Sequence, residues 1–184
     1  MKVLFVLIAF GFVLNSCTEK TEKTDSTNNT YNTIIKTDEE GVLYKPYDGG
    51  IQKKVYTEGK YSIALCNDII IYNIGVQPKT YQLEETDQNG KIFSIEIEIE
   101  YAIQKGKSSH IHFHYGKQYR SIIDDNIIGS VKDILAKYDY DEIKNLDIKF
   151  VENMIYENSL DNLNNKFIDL KSVTINKLKR NPKH

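Results

Sequence analysis

The chain of 184 residues contains no tryptophan, three prolines and two cysteines, and among its 24 basic residues only Arg120 and Arg180 are arginines. Each scarcity excludes a class of protein. With a net charge of −2 and so few guanidinium groups, the surface lacks the clustered cations that neutralise phosphates, so no nucleic-acid partner is expected. Two cysteines, Cys17 and Cys66, cannot build a disulfide framework or a zinc quartet, and the fold must rest on an apolar core. Nucleophile elbows, phosphate loops and dinucleotide fingerprints are missing too, so neither catalysis nor a cofactor is expected. After Leu14 no apolar run approaches the ~20 residues that a membrane-spanning helix needs.

What is present begins at the N-terminus. Lys2 precedes an unbroken apolar run from Val3 to Leu14, followed by Asn15, Ser16 and Cys17. A positive start, an apolar stretch of about 18 Å as a helix, and a small residue before a cysteine describe a bacterial lipoprotein signal. Residues 1–16 are therefore predicted to be cleaved and Cys17 to be acylated, with palmitate among its chains. The mature protein would be held on the lipid bilayer of the cell envelope, at the outer membrane or the periplasmic face of the inner one. Acylation of Cys17 leaves Cys66 as the sole thiol, so no intramolecular disulfide is possible. In the run Ile63-Ala64-Leu65-Cys66 it reads as a small buried hydrophobe. Residues 17–36 are Thr, Glu, Lys, Asp, Ser and Asn with scarcely an apolar side chain, the composition of a flexible linker.

Residues 37–182, with a short tail at 183–184, read as one α+β domain, an antiparallel sheet packed against two or three helices. Strand-like runs come first: Gly41 to Tyr44, Val55-Tyr56, Tyr61 to Leu65, Ile69 to Ile74 and Val76 to Thr86. Asn89-Gly90 then predicts a hairpin, because both residues tolerate positive φ. Its second strand alternates strictly: Phe93, Ile95, Ile97, Ile99, Tyr101 and Ile103 on one face, Ser94, Glu96, Glu98, Glu100 and Ala102 on the other. Beyond Gly106 the period becomes helical, with Tyr119, Ile123, Ile127, Val131, Ile134 and Tyr138 forming one stripe. Asp139 and Glu142 have capping-box spacing for a next helix. Phe150, Val151, Met154, Ile155 and Leu163 continue the pattern up to Asn164-Asn165, where a left-handed asparagine is expected to end it. Phe167-Ile168, Leu170, Val173 and Ile175 read as a returning strand.

From about Glu40 to Pro182 the chain resembles the SPFH family, also called Band 7 or prohibitin-like. The opening Gly41-Val42-Leu43-Tyr44-Lys45-Pro46-Tyr47-Asp48-Gly49-Gly50 is similar to the family's first strand and turn, and Thr57-Glu58-Gly59 to its second turn. Gln77 to Glu85 followed by Asp87-Gln88-Asn89-Gly90 resembles the segment before its hairpin. The most specific likeness is Gly116-Lys117-Gln118-Tyr119, a helix through Ile127 to Val131, and the helix start Tyr138-Asp139-Tyr140-Asp141-Glu142-Ile143. Asn145-Leu146-Asp147 and Asn165 depart from the family's usual Arg and Gly, and relatives continue past a proline such as Pro182 into a coiled coil. The resemblance implies an SPFH fold and a non-enzymatic scaffold that organises or regulates membrane proteins. Partners would be membrane proteins or like SPFH proteins, with weak self-association on membranes at most.

The ligand-type residues that cluster are His110, His112 and His114. On a strand three imidazoles would share one side, a zinc or copper face. The resemblance places them on a short helix instead, where His110 and His114 share a face and His112 turns away, so the main expectation is no metal. A small metal-binding envelope lipoprotein using these three histidines is the alternative reading. Glu96, Glu98 and Glu100 are expected on the solvated face of a sheet, and Tyr72, Tyr101, Tyr119 and Tyr138 in core packing.

Overall fold

The structure, a computed structural model, describes residues 29–180. The expected leader 1–16, Cys17 and the tail 183–184 lie outside the described residues. In chain order the elements are strands β1 (Thr30–Ile35), β2 (Glu39–Lys45), β3 (Gly50–Tyr56), β4 (Gly59–Ala64), β5 (Asp68–Asn73), β6 (Gln77–Thr86) and β7 (Ile92–Ile103). Helix α1 (Ser108–Tyr115), a 3-10 turn (Gly116–Gln118), α2 (Tyr119–Leu135), α3 (Tyr140–Asn145) and α4 (Ile148–Asn164) follow, and β8 (Ile168–Arg180) closes the domain. The strands form three antiparallel ladders: β1-β4, β3-β2-β5 and β6-β7-β8.

The β7 alternation organises the larger core. Phe93, Ile95, Ile97, Ile99, Tyr101 and Ile103 are all buried, and α2 and α4 cover them with Ile123, Ile127, Val131, Val151, Ile155 and Leu163. Burying one such side chain stabilises by roughly 1.5 to 3 kcal/mol, so this face accounts for most of the apolar gain. Tyr119 through Ile134 keep the predicted stripe as the buried side of α2, and Tyr138 sits just past its end. Asp139 caps α3 with the full reciprocal box to Glu142. Phe150, by contrast, is 51% exposed and lies off the buried face of α4.

Strand β8 is longer than the stretch of β7 it pairs with, and its ladder shifts register twice. Glu96 faces Lys177 while Ile97 faces Ile175, and Glu100 faces Ser172 while Tyr101 faces Leu170. Asn176 and Lys171 are thus the extra residues of two bulges, which sharpen the local twist. Glu152 of α4, itself buried, accepts the Ile175 amide at 2.8 Å beside the first of them.

A second, smaller core joins β1 and β4 to β2 and β5 through Ile35, Leu43, Ile63 and Ile69. Gly41 is needed here for a close approach: a Cβ would lie 2.6 Å from Ile35 Cδ1 and 2.7 Å from Ile69 Cδ1.

Three expectations are corrected. The linker does not run to residue 36, because β1 pairs with β4 along its length and Ile35 is buried. Its alternation of Tyr31, Thr33 and Ile35 against Asn32 and Ile34 was masked by the polar composition upstream. The left-handed residue after α4 is Phe167 at φ 63°, while Asn165 keeps right-handed helical angles. Cys66, following β4, is only half-buried, so it is not the small buried hydrophobe expected.

Candidate functional site

Helix α1 carries the histidines, and its position is set by a carboxylate from another element. Glu40 on β2 is fully buried and accepts the Gly106 amide at 2.5 Å, the Ser108 hydroxyl at 2.7 Å and, more distantly, the Ser108 amide at 3.4 Å. A carboxylate there accepts from the first residue of α1 and from the loop leading into it, at the end of the helix where the dipole favours an acceptor. Ser109 adds a hydroxyl bond to the Lys53 carbonyl of β3 at 3.0 Å, and Ile111 is buried beneath.

The three histidines separate as helical spacing requires. His112 faces the core side, its Nδ1 lying 2.6 Å from the Tyr72 hydroxyl, which also donates to the Gly116 carbonyl at 3.2 Å. Burial, and then the Lys117 charge, push the His112 pKa below its ordinary value. Burial and neighbouring Tyr119 raise the Tyr72 phenol to about 12. With Nδ1 engaged by Tyr72, Nε2 alone is left for any ligand. His110 stacks 5.3 Å from the Phe167 ring, and His114 contacts Phe113 and Tyr115. His110 and His114 line an open groove of about 350 Å³ with Ile51, Ser109 and the exposed Phe113. Among the described residues no three His, Cys, Asp or Glu side chains are disposed to hold a metal ion.

Glu96, Glu98 and Glu100 project from the side of β7 opposite the helices. Each has a neutral partner: Gln82 donates to Glu96 at 3.4 Å, Asn176 to Glu98 at 3.2 Å and Ser172 to Glu100 at 3.1 Å. Carboxylates spread along a wet face, each accepting from a neutral amide or hydroxyl, have no reason to couple as an acid–base pair. Tyr72, Tyr101 and Tyr119 are buried, and half-buried Tyr138 reaches the Met154 sulfur at 3.7 Å.

Sequence reasoning passed over three polar anchors. Besides Glu40, buried Asp87 accepts the amides of Asn89 at 2.9 Å, Lys91 at 2.8 Å and Tyr140 at 3.0 Å, joining the β6–β7 turn to α3. Burial raises its pKa, but the three amide bonds outweigh that and leave it lowered. Asp124 on α2 accepts from Lys79 and from the Tyr81 hydroxyl on β6. An Asp two residues ahead of Asn89-Gly90 is a turn signal that could have been read. Nothing in the sequence separates Glu40 from Glu39.

Residues 33–183 match the SPFH domain / Band 7 family. The chain belongs to that family. No curated protein sequence matches the chain significantly. The antiparallel ladders, with α2 and α4 packed on β6-β7-β8 and α1 on β2 and β3, are thus an SPFH domain, of the α+β class. SPFH members are generally non-enzymatic scaffolds associated with membranes. Within the described residues of this SPFH domain, no helix is long and apolar enough to cross a membrane.

Proposed function

We propose that this SPFH protein is a lipid-anchored, non-enzymatic scaffold of the bacterial envelope that organises or regulates membrane proteins. The family match over residues 33–183 carries the scaffold part of the reading. The anchor part rests on Lys2, the apolar run to Leu14 and Cys17, which have the order of a lipoprotein signal. Acyl chains at Cys17 would confine the domain to a thin layer beside the bilayer, raising its effective concentration toward membrane proteins and toward other copies. Self-association on that surface would be weak.

The test is metabolic labelling with palmitate. Wild-type protein should take up label and partition into detergent, while Cys17→Ser should keep its leader and stay unlabelled. Label entering the Cys17→Ser protein would refute the anchor. A thioether at Cys17 and a disulfide between the chain's two cysteines exclude one another, so mass spectrometry of the mature protein decides the same point. An acylated Cys17 peptide supports the anchor, and a Cys17–Cys66 cross-linked peptide overturns it.

A further inference from the structure

We propose that the free edge of β5 is a binding site for an extended, acidic peptide segment, which adds to the β3-β2-β5 ladder as a fourth strand. This goes beyond the scaffold reading, since the site needs no lipid anchor.

Among the described residues, strand β5 pairs with β2 along one side and with no strand along the other. Which of its main-chain groups face the other side follows from two side-chain bonds. The Ile69 amide is taken by Asp68 Oδ1 at 2.8 Å, and the Asn73 carbonyl by Gln77 Nε2 at 3.1 Å, so residues 69 and 73 point away from β2. In an antiparallel strand the amide and carbonyl of one residue share a side and alternate along the chain. Ile71 therefore offers both its N–H and its C=O outward, midway along the edge, and neither meets a partner among the described residues. Natural sheets usually block such an edge with a proline, a bulge or an added strand. Here Asp68 and Gln77 tie up the two ends and leave the middle open.

Across from this edge stands a wall made by the 3-10 turn and the start of α2. Lys117, Tyr119 and Arg120 face Asp68 through Asn73 over a groove of about 380 Å³. The wall is fixed to the strand, because Tyr72 donates to the Gly116 carbonyl and packs its ring 5.7 Å from Tyr119. A strand edge facing a helix start is the geometry in which peptides bind by strand addition, with main-chain bonds supplying affinity and side chains selecting the sequence. Selection here is by charge. Neither Lys117 nor Arg120 belongs to an ion pair among the described residues, and the Arg120 guanidinium lies 5.8 Å from the Tyr119 ring centre. Asp68, at the far end, is the single acidic side chain that lines the groove among the described residues. Two cations against one carboxylate favour an acidic guest near Tyr72 and disfavour a second copy of β5, which would bring its own Lys117 and Arg120 to the same line.

The full chain in detergent micelles, titrated by fluorescence polarisation, tests this. The probe is a short labelled peptide alternating valine and glutamate; its controls replace glutamate by lysine or methylate alternate peptide nitrogens. Saturable binding of the glutamate peptide is expected, falling with salt and lost on N-methylation. Lys117→Glu with Arg120→Glu should weaken it about tenfold or more, and Ile71→Pro, which removes the central N–H, should abolish it. The methylated peptide tests the same hydrogen bonds without touching the fold. No saturable binding, equal binding of the lysine peptide, or unchanged binding by both variants overturns the proposal. A light-scattering dimer that Ile71→Pro dissolves would also overturn it, giving the edge to a second copy.

Discussion

The two ends of this domain are held by different means. Around β6-β7-β8 the chain buries an unbroken row of aliphatic and aromatic side chains under two long helices. Around β1-β4 and β3-β2-β5 the shared core has four members, Ile35, Leu43, Ile63 and Ile69, and much of the fixing is polar, led by the buried Glu40 carboxylate. Area-driven stability is tolerant of detail, since any apolar side chain of similar size supplies most of it. Stability resting on a buried charge is not, because removing one partner leaves the others unsolvated and unpaired. The first region sets whether the chain folds, and the second sets how α1 and its neighbours are presented.

Four substitutions or conditions put that contrast at risk. Ile97→Ala, at the centre of the apolar face, should cost about 2 to 5 kcal/mol by denaturant titration; a loss no greater than that of a surface residue would mean the larger core is not dominant. Glu40→Ala should cost about 1 to 3 kcal/mol, with faster hydrogen exchange concentrated in α1 and not in β7. Uniformly raised exchange would erase the distinction between the two regions. Asp87 lies on the border, where the turn meets α3. Its folded pKa is lowered, so its contribution is present above the unfolded value of about 3.9 and fades as pH falls through the folded one. Stability measured between pH 5 and pH 2 should therefore drop less steeply in Asp87→Asn than in wild type, and identical slopes would remove Asp87 from the account. Smallest of all, Glu98→Ala on the wet face of β7 should stay within about ±0.5 kcal/mol.

The same contrast explains what could be read from the sequence. Period-two and period-three-to-four patterns are written by area burial, so β7, α2 and the Asp139–Glu142 box were legible from residue types alone. Where a single charge does the fixing, no periodicity records it, and Glu40, Asp87 and Asp124 came to light only with the fold. Strand β1 was hidden for a related reason: its apolar residues are few and sit behind a long polar stretch, so composition outweighed alternation. The histidines show a middle case. Helical spacing foretold that His112 parts from His110 and His114, but its partner Tyr72 is 40 residues away in sequence and could not be foreseen.

The two bulges in β8 bear on which insertions and deletions this lineage can absorb. Asn176 and Lys171 are supernumerary to the ladder, so deleting either one alone would leave every downstream side chain on its present face. Deleting Thr174 instead would shift the reading of inside and outside for the residues on one side of the gap, sending Val173 or Ile175 toward water. Length variation in the last strand of such a domain should therefore gather at these two positions, as seams where the chain can lose a residue without losing its sides.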